Sequence, residues 1–147
     1  MFGEIAGWER VNWFANEGQE REYQYSWKRQ NWFENQKAEH MAVRNGVGMY
    51  DMSSFGKLRV EGPDAEAFLN YIGGGDYSCD IGKIVYTQFL NERGGIEADV
   101  TVTRLSDEVY LVVTPAATRL ADETWLKRSK VEREARVVIT DVTAGEG

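Results

Sequence analysis

Tyr86-Thr-Gln-Phe-Leu-Asn91-Glu-Arg-Gly94-Gly95-Ile-Glu-Ala-Asp99-Val-Thr-Val-Thr103 reads as two β-type runs joined by a turn. Val100, Thr101, Val102 and Thr103 are β-branched, and Asn91 to Gly95 supply turn chemistry, because glycine accepts positive φ without steric cost. From Ile96 onward the residues alternate. Ile96, Ala98, Val100 and Val102 line one face, while Glu97, Asp99, Thr101 and Thr103 line the other. On pattern alone Asp99 is a solvated carboxylate on the outer face of a hairpin, since carboxylates are mostly exposed. Two registers remain open. If Leu90 pairs with Ile96, Thr87 faces Asp99 and Tyr86 points to the opposite side. If Leu90 pairs with Gly95, Tyr86 lies directly opposite Asp99. A slip of one residue exchanges the faces, and glycine at both 94 and 95 makes a bulged turn easy to build.

Outward from the hairpin, the chain divides into a segment 1–33 and a folded region 34–147. The first holds Trp8, Trp13, Trp27 and Trp32 with Phe14, Tyr23, Tyr25 and Phe33, and little aliphatic periodicity. Trp8-Glu-Arg-Val-Asn-Trp-Phe14 nearly repeats as Trp27-Lys-Arg-Gln-Asn-Trp-Phe33, but two copies fall short of the three that a repeat architecture needs. Aromatics that cannot form a core of their own pack on something else, so many of these are expected to be exposed or used between chains. A helix is expected over Glu34–Asn45, with Ala38, Met41 and Ala42 at helical spacing and Gly46 after its end. His40, within that helix, receives no chemical role.

Lys57 to Glu61 reads as a strand, Pro63 as the first position of a short helix, and Phe68, Leu69 and Ile72 as that helix's apolar stripe. Gly73-Gly74-Gly75 follows a helix and lacks the spacing of a phosphate cradle, so it reads as a loop. Glu108 to Thr114 is a buried central strand. Thr114 would cap a helix with Pro115 at its first turn and Ala117, Leu120, Ala121, Thr124 and Trp125 facing inward. Val137 to Val142 is a last strand. The order, a helix followed by β-α-β-β-β-α-β, implies an α+β, ferredoxin-like antiparallel sheet with helices on one face.

A formal charge of −7 with a pI near 4.8 argues against nucleic acid, whose phosphates demand a basic surface. No apolar run approaches the ~20 residues of a membrane helix, and the N-terminus lacks a signal-peptide layout. The single cysteine, Cys79, excludes an internal disulfide and a thiolate-rich zinc site. The chain reads as soluble and cytoplasmic, or of the mitochondrial matrix in a eukaryote.

The stretch Gly82 to Val100 resembles the signature hairpin of the folate-binding aminomethyltransferase (glycine cleavage T-protein) family. Ala38 to Lys57 is similar to that family's first helix-and-turn motif, and Glu61-Gly-Pro-Asp64-Ala-Glu-Ala-Phe68-Leu to its second. Asp51-Met-Ser-Ser-Phe-Gly56 resembles most the branch formed by the folate-binding halves of dimethylglycine and sarcosine dehydrogenases. The resemblance implies a partial folate-binding domain that transfers one-carbon units from a methylated amine to tetrahydrofolate. Asp99 matches the family's catalytic aspartate and Tyr86 a pocket tyrosine. Val100, Thr101 and Met52 are further expected folate-binding residues, and no metal is implied. Any FAD would belong to a separate flavin domain that this chain lacks, against which the aromatic segment would pack, or the chain would self-associate. In the family the folate domain continues past the point where this sequence stops and supplies further pocket residues there, so the chain reads as a fragment. Two alternatives stand beside the leading function: a catalytically silent binding or assembly module, and a free-standing glycine-cleavage aminomethyltransferase.

Overall fold

The computed structural model describes residues 1–5 and 8–146, with the side chains of Ile5 and Trp8 outside that description. The chain separates into two compact units, Met1–Tyr50 and Asp51–Gly147.

In the first unit, β1 (Phe2–Ile5) and β2 (Trp8–Val11) form an antiparallel pair, and α1 spans Phe33–Asn45. The near-repeat of sequence is not a repeat of structure, since Trp8–Val11 is a strand whereas the matching residues 27–30 belong to neither strand nor helix. Trp13 is buried, and Asn35 ties the intervening loop to α1 by donating from Nδ2 to Phe14 O and Gln19 Oε1, each at 2.8 Å. Trp32 is half-buried, while Phe14, Tyr25 and Trp27 are exposed, as expected for aromatics without a core of their own. The Trp8 ring lies outside the described residues. Gly46 follows α1 with φ −145°, so it is not a left-handed cap.

The second unit is a five-stranded sheet, β3 (Gly56–Glu61), β4 (Ile84–Leu90), β5 (Ile96–Ser106), β6 (Val109–Thr114) and β7 (Val138–Asp141), with α2 (Ala65–Ile72) and α3 (Arg119–Glu132). The strand order is β4-β5-β6-β3-β7 and every pairing is antiparallel. Alternation decides the layers. Leu58, Val60, Phe89, Ala98, Val100, Val102, Tyr110, Val112 and Ile139 all turn inward and join Phe68, Leu69, Ile72, Trp125 and Leu126 of the helices in one core. Each Val, Leu, Ile or Phe among them contributes about 1.5–3 kcal/mol of burial. Both helices therefore cover one face, the α+β arrangement the sequence implied.

Two local expectations need correction. α2 begins at Ala65, because Gly62-Pro63-Asp64 forms the turn that precedes it, closed by Ala65 N donating to Gly62 O. The Asp64 carboxylate serves elsewhere, accepting from the Arg136 guanidinium and backbone N–H. α3 begins at Arg119, four residues later than the Thr114-Pro115 signal suggests. Thr114 ends β6, and its hydroxyl, with that of Thr118, donates to the buried carboxylate of Asp122. The later start rotates the buried face to Asp122, Trp125, Leu126 and Ser129 and leaves Leu120 exposed. β4 is an edge strand of the sheet. Its outer side is closed in part by the glycine triplet, where Gly74 N donates to Gln88 O at 2.9 Å. The triplet's small size has a packing cause: a Cβ on Gly73 would collide with the fully buried ring of Tyr77.

Candidate functional site

The hairpin adopts neither simple register. Leu90 pairs with Ile96, then the ladder shifts, so that Phe89 pairs with Ala98, Gln88 with Asp99, Thr87 with Val100 and Tyr86 with Thr101. Glu97 is the extra residue of a β-bulge, which restores the alternation that a bare Leu90–Ile96 register would have reversed. The turn is built for this. Gly94 takes φ +76°, and Asn91 Oδ1 accepts the backbone N–H groups of Arg93 at 3.0 Å and Gly95 at 2.9 Å. Tyr86, Gln88 and Asp99 thereby share the outer face of the sheet, away from both helices.

On that face the Asp99 carboxylate is held at both oxygens. Tyr86 Oη donates to Oδ2 at 2.9 Å, and Gln88 Nε2 donates to Oδ1 at 3.0 Å. The hydrogen bond to the carboxylate raises the Tyr86 phenol above its ordinary range, because losing its proton would place two anions together. Tyr86 remains 68% exposed, with its ring open to the solvent side.

The strand ladders extend the face sideways. Tyr86, Thr101, Val113 and Lys57 follow one another across β4, β5, β6 and β3, and Ile84, Thr103, Leu111 and Arg59 form the neighbouring row. Thr101, Leu111 and Val113 are half-buried, giving a shallow apolar floor beside the carboxylate. Lys57 is buried at the far end, and its Nζ donates to Ser53 O at 2.8 Å, drawing the Asp51–Phe55 turn toward this face. Asp51 folds that turn by accepting Ser53 N–H, and this bond holds its carboxyl below the usual range.

The expected site residues divide accordingly. Tyr86, Asp99 and Thr101 stand together on the outer face. Val100 does not join them: it is 2% exposed and its side chain belongs to the helix-covered core, so only its backbone reaches the site. Met52 lies on the exposed Asp51–Phe55 turn, with β6 separating β3 from the strand of Asp99. Gln88 is the residue that sequence reasoning passed over. Its signal was available, two positions after Tyr86 and therefore on the same face. A separate cleft of about 880 Å³ lies by the hairpin turn and α3, lined by Arg93, Arg128, Arg133, Tyr71 and Trp125 among others, and it contains neither Asp99 nor Tyr86. No group of three or more metal-ligating side chains occurs among the described residues, and no described helix is long and apolar enough to cross a membrane.

The family model described as the GCVT N-terminal domain matches residues 1–146. The chain is 43% identical over 143 residues to the 4-methylaminobutanoate oxidase (formaldehyde-forming) of Paenarthrobacter nicotinovorans, covering 97% of this chain and 17% of that protein. It is 38% identical over 108 residues to the aminomethyltransferase of Oceanobacillus iheyensis (strain DSM 14371 / CIP 107618 / JCM 11309 / KCTC 3954 / HTE831), covering 73% of this chain and 29% of that protein. Among solved structures it is similar to the glycine cleavage system aminomethyltransferase T from Bartonella henselae, with a TM-score of 0.58 and 30% identity over 63% of this chain and 25% of that one. The chain thus spans less than a third of the length of either curated relative. Matched almost from end to end by the family model, the chain belongs to the GCVT N-terminal domain family, an aminomethyltransferase family.

Proposed function

We propose that this chain is the tetrahydrofolate-binding, one-carbon-transferring module of an amine-oxidising enzyme of the dimethylglycine or sarcosine dehydrogenase kind. The observation that carries this reading is Asp99, a carboxylate pinned by two donors on an open sheet face beside an exposed aromatic ring. The similarity to an oxidase whose name records formaldehyde formation supports the amine-oxidising branch over a free-standing transferase.

The residues present fit a flat, hydrogen-bonding ligand. The Tyr86 ring and the half-buried Thr101 and Val113 offer an apolar platform, and the carboxylate stands at its edge. Bound tetrahydrofolate would supply the nitrogens that take up the one-carbon unit. Asp99, with lone pairs left free beyond its two donors, steers a proton there and stabilises positive charge developing on the amine nitrogen. Tyr86 supports the ring, and Thr101 offers a hydroxyl from the adjoining strand. The methylated amine and any flavin chemistry belong to a partner domain, and the module works in the cytoplasm or the mitochondrial matrix.

Calorimetric titration with tetrahydrofolate, paired with a one-carbon transfer assay on the enzyme carrying this module, tests the reading. Asp99→Asn keeps the shape while removing charge and basicity. Folate affinity is expected to stay within a few-fold, and transfer to slow by ~10²-fold or more. Transfer at the wild-type rate in the Asn variant would remove Asp99 from the chemistry.

A further inference from the structure

We propose that Gln88 is a positioning residue that fixes the plane of the Asp99 carboxylate through its side-chain amide. The inference rests on the reading of Asp99 given above and extends it to a residue that acts through that carboxylate.

Three observations support it. Gln88 is the in-register partner of Asp99 across the β4–β5 ladder, and directly opposed side chains lie about 5 Å apart. Its Nε2 donates to Oδ1 at 3.0 Å while Tyr86 Oη donates to Oδ2 at 2.9 Å, so each oxygen accepts from a different strand position. Gln88 and Tyr86 are two residues apart on one strand, a rise of about 6.8 Å that brackets the carboxylate from both sides. A carboxylate bonded at one oxygen swivels about its terminal torsion, which is broad and two-fold. Bonded at both, it keeps one plane, and its remaining lone pairs face outward from the sheet. The bulge at Glu97 is what makes the bracket possible, since without it Gln88 and Asp99 would point to opposite faces. Gln88 is half-buried by its neighbours, which limits the competition of water for its amide.

The test is a double-mutant cycle in the enzyme carrying this module, with single-turnover transfer and tetrahydrofolate affinity both measured. Gln88→Met keeps the length and removes the donor, Gln88→Thr is a second truncation suited to a strand, and Gln88→His restores a donor. The expected result is a loss of roughly 5- to 30-fold in transfer for Gln88→Met and Gln88→Thr, with affinity within about threefold and partial recovery in Gln88→His. Adding Gln88→Met to Asp99→Asn should cost nothing further, because the amide then has no carboxylate to orient. Wild-type transfer in both truncations would overturn the inference while leaving Asp99 catalytic if Asp99→Asn is slow. A Gln88→Met loss that persists in full on the Asp99→Asn background overturns it as well, since Gln88 would then act by another route. Wild-type transfer in Asp99→Asn alone removes the underlying reading instead.

Discussion

Tyr86→Phe separates two roles that one side chain combines. The substitution keeps the ring and deletes only the hydroxyl that donates to Asp99 Oδ2 at 2.9 Å. A hydrogen bond to a charged acceptor contributes about 1.5–3 kcal/mol when buried. Here the tyrosine is 68% exposed and the aspartate is exposed too, so water replaces much of the lost bond. A rate loss of roughly 2- to 12-fold is expected, well short of the loss at a buried site. Since the bond to Gln88 remains, the carboxylate loses one of two anchors rather than its place. Fold stability should be essentially unchanged, because the position lies outside the helix-covered core. The assay measures tetrahydrofolate affinity and single-turnover transfer for Tyr86→Phe and Tyr86→Leu side by side. The Phe variant should bind normally and transfer slowly, whereas the Leu variant should also bind weakly, having lost the ring. Equal binding defects in both variants would refute the division, because the hydroxyl would then be a ligand contact rather than an anchor for Asp99.

Two further outcomes follow from the same structure. Gly73→Ala, which drives a methyl group into the buried Tyr77 ring, should destabilise the unit by about 1–3 kcal/mol, read as a lower denaturant midpoint at unchanged slope. An unchanged midpoint would refute the packing account of the glycine triplet. Asp64, hydrogen-bonded to Arg136, has its carboxyl lowered from 3.8 to about 2 on folding. Its contribution to stability is therefore fully present above the ordinary carboxylate range and lost as pH falls from 3.8 through 2. Arg136→Gln should flatten the fall in stability across that window, and an acid-unfolding curve unaltered by the substitution would dismiss the pair's role.

The sequence by itself determined the elements whose signals are local. The alternation of Ala98, Val100 and Val102 marks a buried face, the spacing of Phe68, Leu69 and Ile72 marks a helix stripe, and Asn91 to Gly95 can only be a turn. These follow from side-chain period and backbone sterics, which act over a few residues. The same stretch carried the resemblance that pointed to Asp99. What the tertiary structure decided was everything that depends on a partner distant in sequence. The Thr114-Pro115 signal for a helix start failed because the Thr114 hydroxyl is engaged by Asp122 across the turn, which lets β6 run to its end and delays α3. The strand order, with β3 inserted between β6 and β7, is set by how α2 and α3 cover the sheet and has no local signature. The site itself turned on a single extra residue. Whether Tyr86 and Gln88 meet Asp99 or face away from it depends on the bulge at Glu97, and a bulge is chosen by which face must be buried against the helices. Asn91 and the two glycines permit that bulge, but it is the burial of Phe89, Ala98 and Val100 that selects it, and so brings Tyr86, Gln88 and Asp99 to one face.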